Sequence, residues 1–168
     1  AQQQAVGLLL GLGLSPNETG ERFVGRGDAA MEFWTEGLAE LPETWDLFVP
    51  EDLVDTQIRS TTIGSFAKVT SGMDWLSVKL DFSADGVGVD REELRRCLME
   101  GKKYVRLEDG SFAAFDPAKV QAMLDREIEI LTAAGKGGKL PLSHAGRIQE
   151  LLNHTDKSSV AAKAKTLF

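Results

Sequence analysis

The chain has 168 residues, with 19 Lys and Arg against 26 Asp and Glu, for a net charge of −7. Its 42% hydrophobic and 27% charged residues are those of a globular protein, and its length allows one domain or two very small ones. A single cysteine excludes an internal disulfide and a cysteine-based zinc site, and the acidic balance argues against a free-standing, non-specific nucleic-acid binder, though not against a local basic patch.

The longest apolar run, Val6 to Leu14, is interrupted by Gly7, Gly11 and Gly13 and falls short of the roughly 20 residues a membrane span needs. Gln2, Gln3 and Gln4 give no positive leader to a signal peptide. Residues 5–14 predict a short buried strand, followed by a turn at Ser15-Pro16-Asn17. Residues 28–40 predict a helix capped by Asp28, with Met31, Trp34 and Leu38 on one face, ended by Leu41-Pro42. Leu47 to Val49 predicts a short strand stopped by Pro50. From Gln57 to Val69 the residue types are those of strands. Leu76, Val78, Leu80 and Phe82 then alternate with Ser77, Lys79, Asp81 and Ser83, which predicts a strand with one wet face. Asp85-Gly86 predicts a hairpin turn into Val87 to Val89.

Asp90 and Glu93 form a capping box for a helix to Glu100, which buries Leu94, Cys97 and Leu98 and stops at Gly101. A second hairpin joins Tyr104–Leu107 to Phe112–Phe115 through Asp109-Gly110. Asp116-Pro117 opens a helix whose apolar stripe reads Val120, Leu124, Ile128 and Leu131. Lys136 to Lys139 reads as a Gly-rich hinge, and Ser143 as the cap of a helix carrying Ile148, Leu151 and Leu152. Asn153 to Ser159 reads as a polar connector, and Val160, Ala164 and Leu167 start a last helix that runs off the chain. The fold class predicted is α+β, with antiparallel strand hairpins packed against several helices and a helical end. The expected division is a mixed α+β domain over residues 1–139 and a helical connector over 140–168. The chain reads as a piece of a longer protein.

The residues offer little catalytic chemistry. In Gly135-Lys136-Gly137-Gly138-Lys139, Ala133 stands where a phosphate-binding loop needs its first Gly, and Leu140 replaces Ser or Thr. The loop reads as a connector. His144 and His154 have no metal-ligand spacing around them, Cys97 reads as a buried, inert thiol, and no serine sits in a nucleophile elbow. No catalytic residue, metal or cofactor is therefore assigned to this stretch. Trp34, Trp45 and Trp75 read first as core anchors. Trp75 shares the parity of Ser77 and Lys79, which places it on the wet face, where it suits an interface. The densest basic stretch is Arg91, Arg95, Arg96, Lys102, Lys103 and Arg106, a candidate nucleic-acid contact that also fits a helix dipole.

Several segments occur in a particular order: Leu41-Pro42-Glu43-Thr44-Trp45, Ile63-Gly64-Ser65-Phe66, Asp74-Trp75-Leu76-Ser77-Val78, Asp85-Gly86-Val87, Gly101-Lys102-Lys103-Tyr104-Val105-Arg106-Leu107, Asp109-Gly110-Ser111-Phe112 and Leu140-Pro141-Leu142-Ser143-His144-Ala145-Gly146-Arg147-Ile148. Together they resemble the bacterial helicase-associated domain of Swi/Snf-type ATPases. The resemblance implies a parent that hydrolyses ATP with magnesium, translocates on double-stranded DNA and remodels nucleoprotein in the bacterial cytoplasm, associated with the nucleoid. The parent's phosphate-binding loop and Asp-Glu box would lie in a motor that follows this stretch, so no catalytic residue carries over. The expected function is a non-catalytic, regulatory domain that docks on the motor in cis or guides DNA or a partner protein to it. The alternative is a DNA-binding module using Arg91–Arg106 and Trp75. A small independent enzyme would need a pocket of converging polar groups, for which no motif is found.

Overall fold

The computed structural model describes residues 2–50, 57–135, 137–162 and 164–168. They fall into two units, residues 1–58 and 59–168.

In the first unit the strand expected over 5–14 is instead a helix, α1 (Gln2–Gly11). Its half-buried positions are Ala5, Leu8 and Leu9, continued by Leu12 beyond its end, at helical spacing, while Val6 and Leu10 are exposed. Gln, Ala and Leu are good helix formers, and they prevail over Gly7 and Gly11. Ser15-Pro16 is not the turn but strand β1 (Ser15–Pro16), paired antiparallel with β2 (Phe23–Val24). The turn lies beyond it, where Asn17 Oδ1 accepts from the Arg22 N–H at 3.1 Å. Helix α2 (Asp28–Thr35) has Gly27 as its cap, so Asp28 sits in the first turn, where its charge suits the helix dipole. A 3₁₀ turn over Gly37–Glu40 follows and ends at extended Leu41 before Pro42. The strand expected at Leu47–Val49 does not form, and Phe48 is 88% exposed. Trp34 is half-buried and Trp45 is exposed, so only the former serves as an anchor.

Strand β3 (Ile58–Arg59) spans the boundary along the chain, and the second unit contains β4 (Gly64–Ser71) and β5 (Trp75–Ala84). The alternation of β5 is realised: Leu76, Val78, Leu80, Phe82 and Ala84 are buried and the residues between them are not. The antiparallel pairs Ala67↔Leu80 and Val69↔Val78 put the buried side chains of β4 on the same face. Asp85 and Gly86 take φ 49° and 82°, the conformation a two-residue hairpin requires, and return the chain into β6 (Val87–Gly88).

Helix α3 (Arg91–Met99) begins as predicted, with Asp90 Oδ1 accepting from the Glu93 N–H at 2.9 Å, and it buries Leu94 and Cys97. Strands β7 (Tyr104–Arg106) and β8 (Phe112–Ala114) form the second hairpin, in a sheet ordered β3-β8-β7. Helix α4 (Pro117–Ala133) is capped by Asp116, but its buried face is Val120, Met123, Leu124, Glu127 and Ile130. The expected stripe is thus rotated, leaving Ile128 and Leu131 exposed. A carboxylate occupies a core-facing position because Arg91, reaching over from α3, pairs with Glu127, which is 3% exposed.

Lys136 of the expected hinge lies outside the described residues. After the hinge, β9 (Leu140–Pro141) pairs with the start of β5, and a 3₁₀ turn over Leu142–His144 leads into α5 (Ala145–His154). His144, not Ser143, is the cap residue of α5, without a side-chain bond. The polar connector at 153–159 and the last helix from Val160 are both corrected. Residues 157–160 are β10 (Lys157–Val160), parallel to β4, and the helix is only a 3₁₀ turn at Lys165–Leu167. The main sheet is ordered β10-β4-β5-β6 with β9 beside β5, and the fold is α+β. Its core joins the buried faces of β4 and β5 to Leu94, Met123, Ile148 and Leu151 of the helices.

Asp156 fixes the register of β10. Its Oδ2 accepts from the Ser65 N–H at 2.8 Å and from the Ser65 hydroxyl at 2.9 Å, and its other oxygen accepts from Lys119 Nζ at 2.5 Å. Burial pushes the Asp156 carboxyl up, but Lys119 and the two Ser65 bonds outweigh that and hold it below the usual range. A carboxylate with a lowered pKa contributes stability above the ordinary value near pH 4 and loses it as pH falls through the folded value. Asp156→Ala orphans the Ser65 N–H and should cost about 1–3 kcal/mol in urea denaturation at neutral pH. The gap from the parent chain should narrow as the solution is acidified below about pH 4. A constant gap down to acid pH would contradict this role of the carboxylate.

Candidate functional site

The basic stretch predicted from sequence lies along α3 and β7, and carboxylates meet most of it. Arg91 pairs with Glu127, Arg95 with Glu92 at 2.9 Å, Arg96 with Glu93 at 2.5 Å and Lys102 with Glu100 at 2.5 Å. These partners raise the pKa values of Arg96 and Lys102, while Lys102 lowers that of Glu100. Lys103 is exposed, just before β7. Arg106 is exposed and shares with Arg96 a hollow of about 450 Å³, whose lining includes Asp90, Glu93 and Glu108. Three carboxylates beside two guanidiniums make that hollow a poor seat for a phosphate.

Trp75 is half-buried at the start of β5, on the face that carries Ser77 and Lys79. The ammonium of Lys139 lies 4.7 Å from its ring centroid. Gly72, whose N–H donates to the Trp75 carbonyl at 2.9 Å, sits so close that a Cβ there would overlap the indole.

Pairing across the main sheet assembles a group of cations that the linear sequence disperses. On its open face Ser159, Lys68 and Lys79 form one cross-strand row, and Lys157, Phe66 and Asp81 form the next. Lys68, Lys79 and Lys157 are all exposed. Lys79 reaches Asp81 at 3.0 Å, whereas Lys68 and Lys157 have no ion pair among the described residues. Lys68 stands directly opposite Lys79, a like-charge pair of the kind that disfavours a sheet by about 0.2–1 kcal/mol. The alternation of Ser65, Ala67 and Val69 with Phe66 and Lys68 signals this face of β4, but nothing local signals that Lys157 joins it.

The charge is also unevenly divided. Residues 1–58 hold eleven Asp and Glu against two Arg, a net −9, and residues 59–168 hold fifteen against seventeen Lys and Arg, a net +2. Within the first unit, Trp45, Leu47 and Phe48 are exposed around Asp46.

In the glycine loop the Gly135 N–H donates to the Lys139 carbonyl at 3.1 Å and the Gly138 N–H to the Gly135 carbonyl at 3.2 Å, so these two amides are engaged within the turn. Cys97 is buried, and burial is the main factor raising its thiol pKa. Among the described residues no group of three His, Cys, Asp or Glu could hold a metal, and no helix is long and apolar enough to cross a membrane.

The described residues thus form an α+β fold whose charge is divided between an acidic and a slightly basic unit. A family model described as bacterial SNF2 helicase associated matches residues 3–167, so the chain belongs to the bacterial SNF2 helicase-associated family. No curated protein and no solved structure matches it.

The packing of Trp75 on Gly72 yields a direct check. Gly72→Ala should lower the unfolding free energy by about 1–3 kcal/mol through overpacking. Most of that loss should vanish in a Trp75→Ala background, as a double-mutant cycle reads it. Additive losses would contradict the contact.

Proposed function

We propose that the chain is a non-catalytic accessory domain that docks in cis on the motor of an SNF2-type ATPase and regulates it. The observation that carries this reading is the family match, which spans nearly the whole chain and names an associated region rather than a motor. ATP and magnesium belong, in this reading, to the motor.

The first unit has the chemistry for the docking. A motor that tracks along DNA presents Lys and Arg to the phosphates. A net −9 unit is repelled by DNA and attracted to such a surface. Phe48, Leu47 and Trp45 offer apolar anchors amid that acidity. The pairing of Arg91, Arg95, Arg96 and Lys102 with carboxylates favours this reading over a DNA interface built on Arg91–Arg106 and Trp75.

The test compares steady-state ATPase rates of the full-length parent, a version lacking this domain, and the Phe48→Ala/Leu47→Ala double variant, each with and without duplex DNA. Deletion should change the DNA-stimulated rate at least several-fold, and the double variant should move it in the same direction. Identical rates in all three would overturn the proposal.

A further inference from the structure

We propose that the exposed face of the β10-β4-β5 sheet binds single-stranded nucleic acid, its phosphates on Lys68, Lys79 and Lys157 and its bases on Phe66 and Trp75. This goes beyond the docking reading and is independent of it, because it concerns the second unit alone.

Three observations converge on this face. First, lysines from three strands lie in two adjacent rows, and the tightest pair, Lys68 opposite Lys79, is a repulsion that an anion between them would relieve. Asp81, the one carboxylate in those rows, pairs with Lys79 at 3.0 Å in an exposed contact, so a phosphate must compete for that lysine, whereas Lys68 and Lys157 have no ion pair among the described residues. Second, the aromatics lie on the same face at two levels. Phe66 is in the row of Lys157, and Trp75 lies beyond the Ser71↔Leu76 pair, at the level of Gly72. Six residues of strand separate those levels, about 20 Å, which leaves room for a few nucleotides with the lysines between. Third, the positions on this face between the lysine row and Trp75 are Thr70, exposed, and Ser77, half-buried, which carry hydroxyls able to bond to phosphate or sugar.

The geometry selects a single strand over a duplex. Phe66 and Trp75 are half-buried, and Lys139 covers the Trp75 ring, so an unstacked base reaches that ring by displacing the ammonium towards its phosphate, which a paired base cannot do. It also selects nucleic acid over an acidic peptide, since carboxylates would engage the lysines without needing the aromatics.

The experiment titrates the whole 168-residue chain into fluorescein-labelled oligo(dT) and follows anisotropy at several salt concentrations. Three lysine–phosphate contacts predict that log Kobs falls with log[salt] with a slope of about −2 for a single strand. Lys68→Gln and Lys79→Gln should each flatten that slope by about 0.7. Phe66→Ala and Trp75→Ala should each weaken binding roughly 5- to 100-fold and leave the slope unchanged. Lys68→Gln removes a repulsion and so keeps the fold, which circular dichroism checks. Absence of binding at low salt overturns the proposal. So does a slope that Lys68→Gln and Lys79→Gln leave intact, or equal affinity for a duplex. Displacement by polyglutamate as efficient as by unlabelled oligo(dT) would reassign the face to an acidic protein. A loss on Lys102→Gln equal to that on Lys68→Gln would move the site to the end of α3.

Discussion

Strands β4 and β5 bury one face and leave the other to water, and the arrangement of residues 59–168 follows from that asymmetry. Leu76, Val78, Leu80, Phe82 and Ala84 form an unbroken apolar row that Ala67 and Val69 extend across the strand pair. Three helices contribute Leu94, Val120, Met123, Leu124, Ile148 and Leu151 to the same core. A shift of one residue in the pairing would turn the lysines inward and the leucines outward, so the register is held by the hydrophobic effect itself. The wet face inherits whatever the intervening positions carry: here lysines, hydroxyls and two aromatic rings.

Local chemistry made much of this legible in the sequence. The alternation of β5, the Asp-Gly turns at 85–86 and 109–110 and the carboxylate caps Asp90 and Asp116 each depend on neighbours within a few residues. The failures share a different cause. Val6 to Leu14 is an apolar run too short for periodicity to separate strand from helix. The buried face of α4 is not legible locally, because a carboxylate counts as solvent-facing unless its partner is known, and Arg91 lies 36 residues from Glu127. Residues 157–159 are polar, and they join a strand with Val160 only because Asp156 meets Ser65, 91 positions earlier in the chain. Arg91 to Arg106 is dense in cations, but Glu92, Glu93 and Glu100 among those same residues pair with Arg95, Arg96 and Lys102. Lys68, Lys79 and Lys157 are scattered, and only the sheet brings them together.

The overall charge of −7 therefore averages two different surfaces. An acidic unit with exposed apolar side chains suits a cationic protein surface, and a slightly basic unit with an aromatic-flanked lysine row suits a polyanion. Together the two proposals describe an accessory domain held by a motor through its acidic unit and meeting a strand of nucleic acid through the other.

Both the fold and the proposed site depend on β10 belonging to the sheet, since it closes the edge of β4 and supplies Lys157. Amide hydrogen exchange on the whole chain tests this most directly. The account predicts that amides of residues 157–160 bonded to β4 exchange slowly, in the class of β4 and β5, and that the Ser65 amide is protected with them. Exchange of residues 157–160 at the rate of an open loop, with β4 and β5 still protected, would contradict it.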